Sequence, residues 1–169
     1  DAIRPFAWRR ALDFGAVGEI RDLTRRIRDY HAQGQAMGPG YDLKRGRGGI
    51  REIEFFAQIH QLIHGGRDPA LRAPATRDAL ATLAEAGRID AGQAAALTDA
   101  YVLLRTIEHR VQMIDDRQTH QLPLGEGLGR VAQLHGLADG EALIGMLAPV
   151  TERVGRFYDA LDADERPRL

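Results

Sequence analysis

The sequence predicts an all-α domain, a bundle of six or seven helices with no β-sheet. Apolar residues recur at spacings of three and four along most of the chain, which is the period of an amphipathic helix. No stretch alternates apolar and polar residues for long, and β-branched residues are scarce. The 169 residues, 44% of them apolar and 28% charged, suit one globular domain over residues 1–169.

Glycine and proline separate seven segments that carry this helical pattern. The segments are residues 5–13, 17–33, 50–64, 74–87, 90–119, 128–135 and 141–161. Pro5 suits the first turn of the first helix, and Gly34 ends the second. Pro74 opens the fourth helix, whereas Asp90 is an N-cap residue for the fifth, which ends before Pro123.

The composition excludes several kinds of catalytic and metal site. The chain has no cysteine, which rules out disulfides, thiolate metal sites and cysteine nucleophiles, and no serine, which rules out a serine nucleophile. His60 and His64 are spaced like a metal-binding pair. Because no Glu-x-x-His or His-Glu-x-x-His motif accompanies them, we predict no metal ligands in this chain.

Charge and hydropathy also limit the partners of the chain. A net charge of −1 argues against a nucleic-acid partner. No apolar run approaches the length that spans a membrane, and no signal-peptide pattern opens the chain. We therefore expect a cytoplasmic protein with no membrane partner.

A basic, glycine-rich loop leads into the third predicted helix. Lys44 is the only lysine among 23 basic residues, and residues 1–51 carry a net charge of +5 against −6 for the rest. Glycines, free amides at a helix start and nearby cations together form an anion site. The loop has neither a Walker nor a dinucleotide-binding pattern, and a flexible connector is the alternative. The candidate nucleotide- or phosphate-binding residues are Lys44, Arg47, Gly48, Gly49 and Arg51, with Arg45 beside them.

The third predicted helix carries one carboxylate on its apolar side. A helical wheel places Arg51, Glu54, Gln58 and Gln61 in one polar arc about 80° wide. Glu52 falls instead among the apolar residues opposite. Because a buried carboxylate is costly alone, Glu52 must be paired with a cation or bonded to backbone amides. It is either a structural ion-pair member or a functional carboxylate.

The fifth predicted helix has the same irregularity. Glu108 and Asp115 lie seven residues apart and project into the stripe of core residues on that helix. Buried carboxylates need cationic partners, and we expect arginines of the first 51 residues to supply them. We predict that both form structural ion pairs within the packed bundle. The predicted supporting carboxylates are thus Glu52, Glu54, Glu108 and Asp115.

One long motif carries a resemblance to a known family. The residues from Asp42 to Phe55, Asp-Leu-Lys-Arg-Gly-Arg-Gly-Gly-Ile-Arg-Glu-Ile-Glu-Phe, resemble the bifunctional glutamine synthetase adenylyltransferase/adenylyl-removing enzyme family. Upstream, Arg4-Pro-Phe, Arg9-Arg and Asp13-Phe resemble the stretch that follows the nucleotidyltransferase core of this family. Downstream, Leu104-Arg, Glu108-His and Gln118-Thr-His-Gln-Leu-Pro resemble its later helical motif. The similarity spans roughly residues 2–123 and continues weakly to the end.

The resemblance implies a helical domain of a large enzyme with two nucleotidyltransferase domains, each followed by such a helical domain. One half attaches AMP to a tyrosine of glutamine synthetase with ATP and magnesium, and the other removes it by phosphorolysis with inorganic phosphate. The Gly-Gly-Ile-Arg-Glu-Ile-Glu-Phe form of the motif resembles the N-terminal, adenylyl-removing half. The loop residues would then face nucleotide or phosphate, and Glu52 and Glu54 would orient the arginines.

The sequence also departs from this family. The metal-binding aspartates of the family belong to a Gly-Ser-x-Asp-x-Asp motif on a small sheet, and this chain has neither. We therefore expect those aspartates upstream of Asp1, and the chain to be an inactive fragment of a larger nucleotidyltransferase. Mg²⁺ and ATP or phosphate would bind the full-length enzyme and not this fragment. Arg45 stands where the family more often has an apolar residue.

The expected partners are the upstream nucleotidyltransferase domain, glutamine synthetase and the nitrogen-signalling protein PII. Two alternatives stay open from the sequence. The chain could be a non-catalytic interaction module that contacts glutamine synthetase or PII, or the related helical domain of a PII uridylyltransferase. A helix-turn-helix DNA-binding domain is disfavoured, because the chain has no basic recognition helix.

Overall fold

The computed structural model describes residues 36–115 and 119–163, together with five separate helical positions between residues 18 and 30. The described residues form five α-helices and one 3-10 turn. They are α1 (Ile50–His64), the 3-10 turn Pro69–Leu71, α2 (Thr76–Glu85), α3 (Ala91–Asp115), α4 (Glu126–Leu134) and α5 (Gly140–Ala163). The predicted all-α class is confirmed, and the described part of the chain holds no strand or sheet.

Among the described residues, five helices have defined bounds, slightly fewer than the six or seven that the sequence predicts for the whole chain. Two of the predicted helices, over residues 5–13 and 17–33, lie almost entirely outside the described residues. None of the helices in the described segments is both long and apolar enough to cross a membrane.

The helix ends agree with the prediction where local sequence determines them. Helix α1 has the predicted bounds, with Gly49 at its N-cap and Gly65 at its C-cap. Helix α3 is described as far as Asp115, and Thr119, the last residue of the predicted helix, is not helical. The carbonyl of the next residue, His120, accepts a 2.8 Å hydrogen bond from the amide of Leu43, so a tertiary contact holds the chain just after the predicted end of this helix.

The core lies between α1 and the four other helices. Helix α1 packs against α2, α3 and α5, and α4 closes the bundle against α3 and α5. The buried face of α1 carries Ile53 and Phe56, which are 0% and 2% exposed. The fully enclosed leucine and isoleucine side chains come from every side of the bundle. They include Leu43, Ile50, Leu80, Leu83, Leu104, Ile107, Leu143 and Leu147.

The segment ahead of α1 is part of this packed structure. Asp42 and Gln121 form an isolated antiparallel bridge between this segment and the connection from α3 to α4. On one side of the bridge, the amide of Gly40 donates to the carbonyl of Leu122 at 2.8 Å and the amide of Leu122 donates to the carbonyl of Tyr41 at 2.9 Å. On the other side, the amide of Leu43 donates to the carbonyl of His120 at 2.8 Å. The segment that the sequence marks as a possible flexible connector is thus tied to the bundle before α1 begins.

Candidate functional site

The basic loop, which we define as residues 41–49, is folded by its own backbone. The amide of Gly46 donates to the carbonyl of Asp42 at 2.8 Å, and the amide of Gly49 donates to the carbonyl of Gly46 at 2.9 Å. The amide of Ile50 then reaches back to the carbonyl of Leu43 at 2.9 Å. These bonds close two turns and give the basic loop one fixed path into α1.

The amides at the start of α1 are used inside the protein. The amide of Gly48 donates to Oε2 of Glu52 at 2.8 Å, and the amide of Arg51 donates to the carbonyl of Lys44 at 2.9 Å. Oδ1 of Asp42 accepts from the amides of Lys44 and Arg45. The expected anion site relied on free amides, so this geometry does not support anion binding by the backbone of Gly48 or Gly49.

Close packing explains the glycines of the basic loop. Gly48 has φ +76°, and a Cβ atom there would lie 1.8 Å from the carbonyl oxygen of Thr151 in α5. Gly49 is similarly enclosed, since a Cβ atom would lie 2.7 Å from the carbonyl oxygen of Leu43. Both residues are buried. Gly48 allows the loop to lie against α5, a role that local sequence does not reveal, whereas Gly49 allows the turn within the loop to close.

Glu52 is buried in the way the helical wheel requires. Its exposure is 5%, and its carboxylate caps the amide of Gly48 four residues earlier. This is the bond to a backbone amide that a carboxylate on the apolar side of α1 needs. Glu52 therefore fixes the last turn of the basic loop.

Arg47 turns away from the start of α1 and towards α5. Its Nη1 donates to Oε2 of Glu152 at 2.6 Å, and its Nη2 donates to Oδ2 of Asp159 at 2.9 Å. Gly155 makes room for it, because a Cβ atom there would lie 2.8 Å from the guanidinium carbon. Burial lowers the pKa of Arg47, but the two carboxylates outweigh burial and raise that pKa overall. With two carboxylate partners, Arg47 is held in a structural contact, and its contact with phosphate stays a prediction.

Replacing Arg47 with methionine is expected to lower the free energy of unfolding by about 1 kcal/mol. The loss is modest because Glu152 and Asp159 are 54% and 43% exposed and stay hydrated without the arginine. Urea unfolding of the chain measures it. The control is Arg130→Met, where the pair with Glu126 is exposed and 3.9 Å long, and where we expect a change below about 0.3 kcal/mol. Equal losses in the two variants would refute a structural role for Arg47.

Three cations of the predicted site remain around the start of α1, and we call Lys44, Arg45 and Arg51 the cationic rim. No ion pair joins them to a carboxylate among the described residues. The guanidinium carbon of Arg51 lies 5.9 Å from the ring centroid of Phe55, over its face. The backbone bond between Arg51 and Lys44 holds the two ends of the rim side by side. The structure thus brings these cations together on a rigid loop.

Tyr41 and Asp42 hold the turns of the basic loop, although neither is among the supporting residues predicted from the sequence. The buried Tyr41 hydroxyl donates to the carbonyl of Arg47 at 2.6 Å. Burial, reinforced by the charges of Glu52 and Asp42, raises the pKa of Tyr41, so that the hydroxyl keeps its proton. Asp42 could have been found from the sequence, because aspartate at the first position of a turn accepts from amides two and three residues on.

The polar arc of α1 does not form one site. Gln61 is buried, and its side chain donates to the carbonyls of Leu71 and Ala73 at 2.8 and 2.7 Å. Glu54 lies beside Gln58 in a groove between α1 and α2, and among the described residues no ion pair joins Glu54 to Arg51. The predicted orienting role of Glu54 therefore has no counterpart in this geometry.

His60 and His64 pack against each other at the end of α1. Their rings stack with centroids 6.2 Å apart. Burial and the charge of Arg88 lower the pKa of His64 below its ordinary value. Within the described ranges, no group of three or more histidine, aspartate or glutamate side chains is placed to hold a metal ion.

Glu108 is buried, as its position on the core stripe predicts, but its partners are not those expected. The side chain is 5% exposed and bonds to Nη1 of Arg105 at 2.8 Å and to Nδ1 of His120 at 2.5 Å. The expectation of partners from the first 51 residues is corrected by these two contacts. His120 also accepts the backbone bond from Leu43, so Glu108 supports the segment that holds the basic loop. The side chain of Asp115 lies outside the described residues.

Comparison with known proteins confirms the resemblance carried by the sequence motifs. Residues 20–161 match the family model described as GlnD PII-uridylyltransferase. The chain is 48% identical over 168 residues to the bifunctional glutamine synthetase adenylyltransferase/adenylyl-removing enzyme of Caulobacter vibrioides, covering 96% of the chain and 17% of that protein. The proteins of the same name from Agrobacterium fabrum and Rhizobium meliloti are 48% and 44% identical over 164 residues, again with 96% of the chain and 17% of each relative covered.

The chain therefore spans about a sixth of the length of these curated relatives. Its single described bundle is consistent with one domain of a longer protein. Because the family model covers most of the residues, the chain belongs to the GlnD PII-uridylyltransferase family of helical domains and is similar to a portion of the glutamine synthetase adenylyltransferases.

Proposed function

We propose that the chain is the helical domain of a bifunctional glutamine synthetase adenylyltransferase/adenylyl-removing enzyme and comes from its N-terminal, adenylyl-removing half. The identity to enzymes of that name over 96% of the chain supports this assignment. The 17% share of the relatives supports a neighbouring nucleotidyltransferase domain in the same longer protein. The reaction would remove AMP from a tyrosine of glutamine synthetase by phosphorolysis.

The cationic rim is the part of the domain that would take part in this reaction. A phosphate or nucleotide bound by the neighbouring domain carries negative charge, and fixed cations stabilise it without reorganising. Lys44, Arg45 and Arg51 have no carboxylate partner among the described residues, whereas Arg47 has two. This contrast is the single observation that supports the rim as the face towards the nucleotide cleft.

Magnesium does not fit the described residues as a bound ion. The carboxylates of Asp42 and Glu52 near the start of α1 accept hydrogen bonds from backbone amides, and the described part of the chain offers no cluster of three potential ligands. Any metal-binding carboxylates would thus belong to another domain of the longer protein. We accordingly expect the chain on its own to transfer no AMP.

The helical domain of a PII uridylyltransferase is the second candidate. The description of the matching family model favours it. The identity of 48% to proteins named as adenylyltransferases favours the first candidate. In either enzyme the domain would lie beside a nucleotidyltransferase domain, so the two candidates differ in the protein substrate and share the proposed use of the rim.

The test is kinetic and uses the complete enzyme that carries this domain. Lys44→Ala and Arg51→Ala are expected to raise the KM for phosphate in adenylyl removal about tenfold, which corresponds to about 1.4 kcal/mol. The control is Arg130→Ala, which removes an exposed arginine of α4 far along the chain from the rim and should leave the KM unchanged. Circular dichroism and urea unfolding of each variant confirm that the fold is intact.

Three results would contradict the proposal. An unchanged KM for phosphate in both rim variants would show that the rim does not meet the reacting anion. A loss of affinity for glutamine synthetase, with normal turnover at saturating glutamine synthetase, would identify the domain as an interaction module instead. Activity towards PII and none towards glutamine synthetase would select the uridylyltransferase.

A further inference from the structure

A second charged surface lies on a different part of the bundle from the cationic rim. Residues of α3 and of the first turn of α2 line an open groove with a volume of about 560 Å³, which we call the arginine groove. Its lining residues are Arg77, Tyr101, Val102, Arg105, Thr106, His109, Arg110 and Met113. None of them belongs to the basic loop, so nothing in the proposed function uses this groove.

The arginine groove has an excess of positive charge. Three of its eight lining residues are arginines and one is a histidine, and none is a carboxylate. Arg77 is exposed and forms no ion pair within the described segments. Arg105 donates to Glu108, but that carboxylate also bonds to His120. The charge of the groove is therefore left for an anionic partner to balance.

Arg110 adds an independent sign that the groove lacks a component. Its Nη1 atom is buried and has no hydrogen-bond partner in the part of the chain that the structure describes. A buried guanidinium nitrogen usually has an acceptor, because leaving it without one costs free energy. An acceptor that enters the groove and shifts this side chain slightly would satisfy it.

Exposed apolar side chains flank these cations. Met113 is 63% exposed and Val102 is 44% exposed, although both lie on the long central helix α3. Spacings of four, three and four place Val102, Thr106, His109 and Met113 on one face of that helix. Flexible methionine side chains suit contact surfaces, because they adapt to the shape of a partner. The partner thus has apolar as well as acidic groups.

The surface next to the arginine groove, on the side towards α1, carries negative charge. Arg77 and Tyr101 also line the adjoining groove, where Glu54 and Asp78 are the charged neighbours. The combined surface is positive along α3 and negative where α1 and α2 meet. A nucleic-acid strand or a polyphosphate laid along it would meet these two carboxylates, which repel it. A polypeptide can match both ends, because it carries both signs of charge and apolar side chains.

We propose that the arginine groove is a docking site for a segment of a partner protein. The segment has acidic side chains against Arg77, Arg105 and Arg110, with an apolar side chain against Met113. Its opposite end, near Glu54, is neutral or basic. This proposal is separate from the role of the cationic rim, and either can fail while the other holds.

Binding of defined peptides to the purified chain tests the proposal. The probes are fluorescein-labelled peptides of about 12 residues with glutamate and leucine at varied spacings in one half and lysine in the other. A matched set has glutamine in place of glutamate. We expect members of the acidic set to bind, with at least a tenfold rise in Kd for Arg77→Glu and a rise of several-fold for Met113→Ser.

The matched control is Arg130→Glu, the same change at an exposed arginine outside the groove, which should leave the Kd unchanged. Weaker binding at higher salt, together with no binding of the glutamine set, also supports the proposal. Equal binding of both sets, equal effects of Arg77→Glu and Arg130→Glu, or no binding of any probe would overturn it. Binding of inorganic triphosphate that Arg77→Glu abolishes, without peptide binding, would identify a small-anion site and likewise overturn it.

Discussion

Replacing Gly48 with alanine is expected to destabilise the domain by about 3 kcal/mol. The added Cβ atom would stand 1.8 Å from the carbonyl oxygen of Thr151, a backbone atom that moves only if α5 moves. Forcing extra volume into such a contact costs about 1–3 kcal/mol, and a left-handed conformation costs an alanine a further 1 kcal/mol or so. The change would also strain the bond from the Gly48 amide to Glu52, which is buried.

Urea unfolding followed by circular dichroism measures this loss. Gly129→Ala is the matched control, because Gly129 lies inside α4 with no atom within 4 Å of an added Cβ. Alanine should there be neutral or stabilising by up to about 1 kcal/mol, since it favours the helix. A loss at Gly48 below about 1 kcal/mol would show that the basic loop is not packed against α5 as described.

Replacing Glu108 with alanine is expected to lower the free energy of unfolding by about 3 kcal/mol. The carboxylate is 5% exposed and is bonded to both Arg105 and His120, whose side chains are 49% and 27% exposed. Removing it leaves a cavity and deprives His120 of its partner, while Arg105 can turn to water. The loss should therefore exceed that of an exposed ion pair severalfold.

Glu85→Ala is the control, because Glu85 is exposed at the end of α2 and no hydrogen bond or ion pair joins its side chain to another described residue. Its effect should stay within about 0.5 kcal/mol. Glu108→Gln keeps most of the side-chain volume, so it should lose less than the alanine variant. A Glu108→Ala loss equal to the control would mean that the pair with His120 contributes nothing to the fold.

The helical architecture could be predicted from the sequence because it depends on local pattern. The period of apolar residues and the flanking glycines give both ends of α1 without error. Burial of Glu52 and Glu108 also follows from the wheel, since each lies on the apolar side of its helix. These features need no knowledge of which segments meet.

The partners of charged residues could not be predicted, because they depend on contacts between distant segments. Arg47 finds its carboxylates more than 100 residues further along the chain, in α5. Nothing near Arg47 in the sequence distinguishes it from Lys44 or Arg51, yet these two belong to the cationic rim and Arg47 does not. The need for glycine at position 48 could not be predicted either, because the atoms that exclude a side chain there belong to the backbone of α5.

The central claim is that the basic loop is rigid and that its side chains, rather than its amides, meet an anion. Hydrogen exchange at the amides of Gly48, Gly49 and Arg51 tests this claim most directly. We predict that these amides exchange at least about a thousandfold more slowly than in an unfolded chain, because each donates inside the protein. Adding phosphate or AMP should leave those rates unchanged. Rapid exchange that slows only when phosphate or AMP is added would contradict the account.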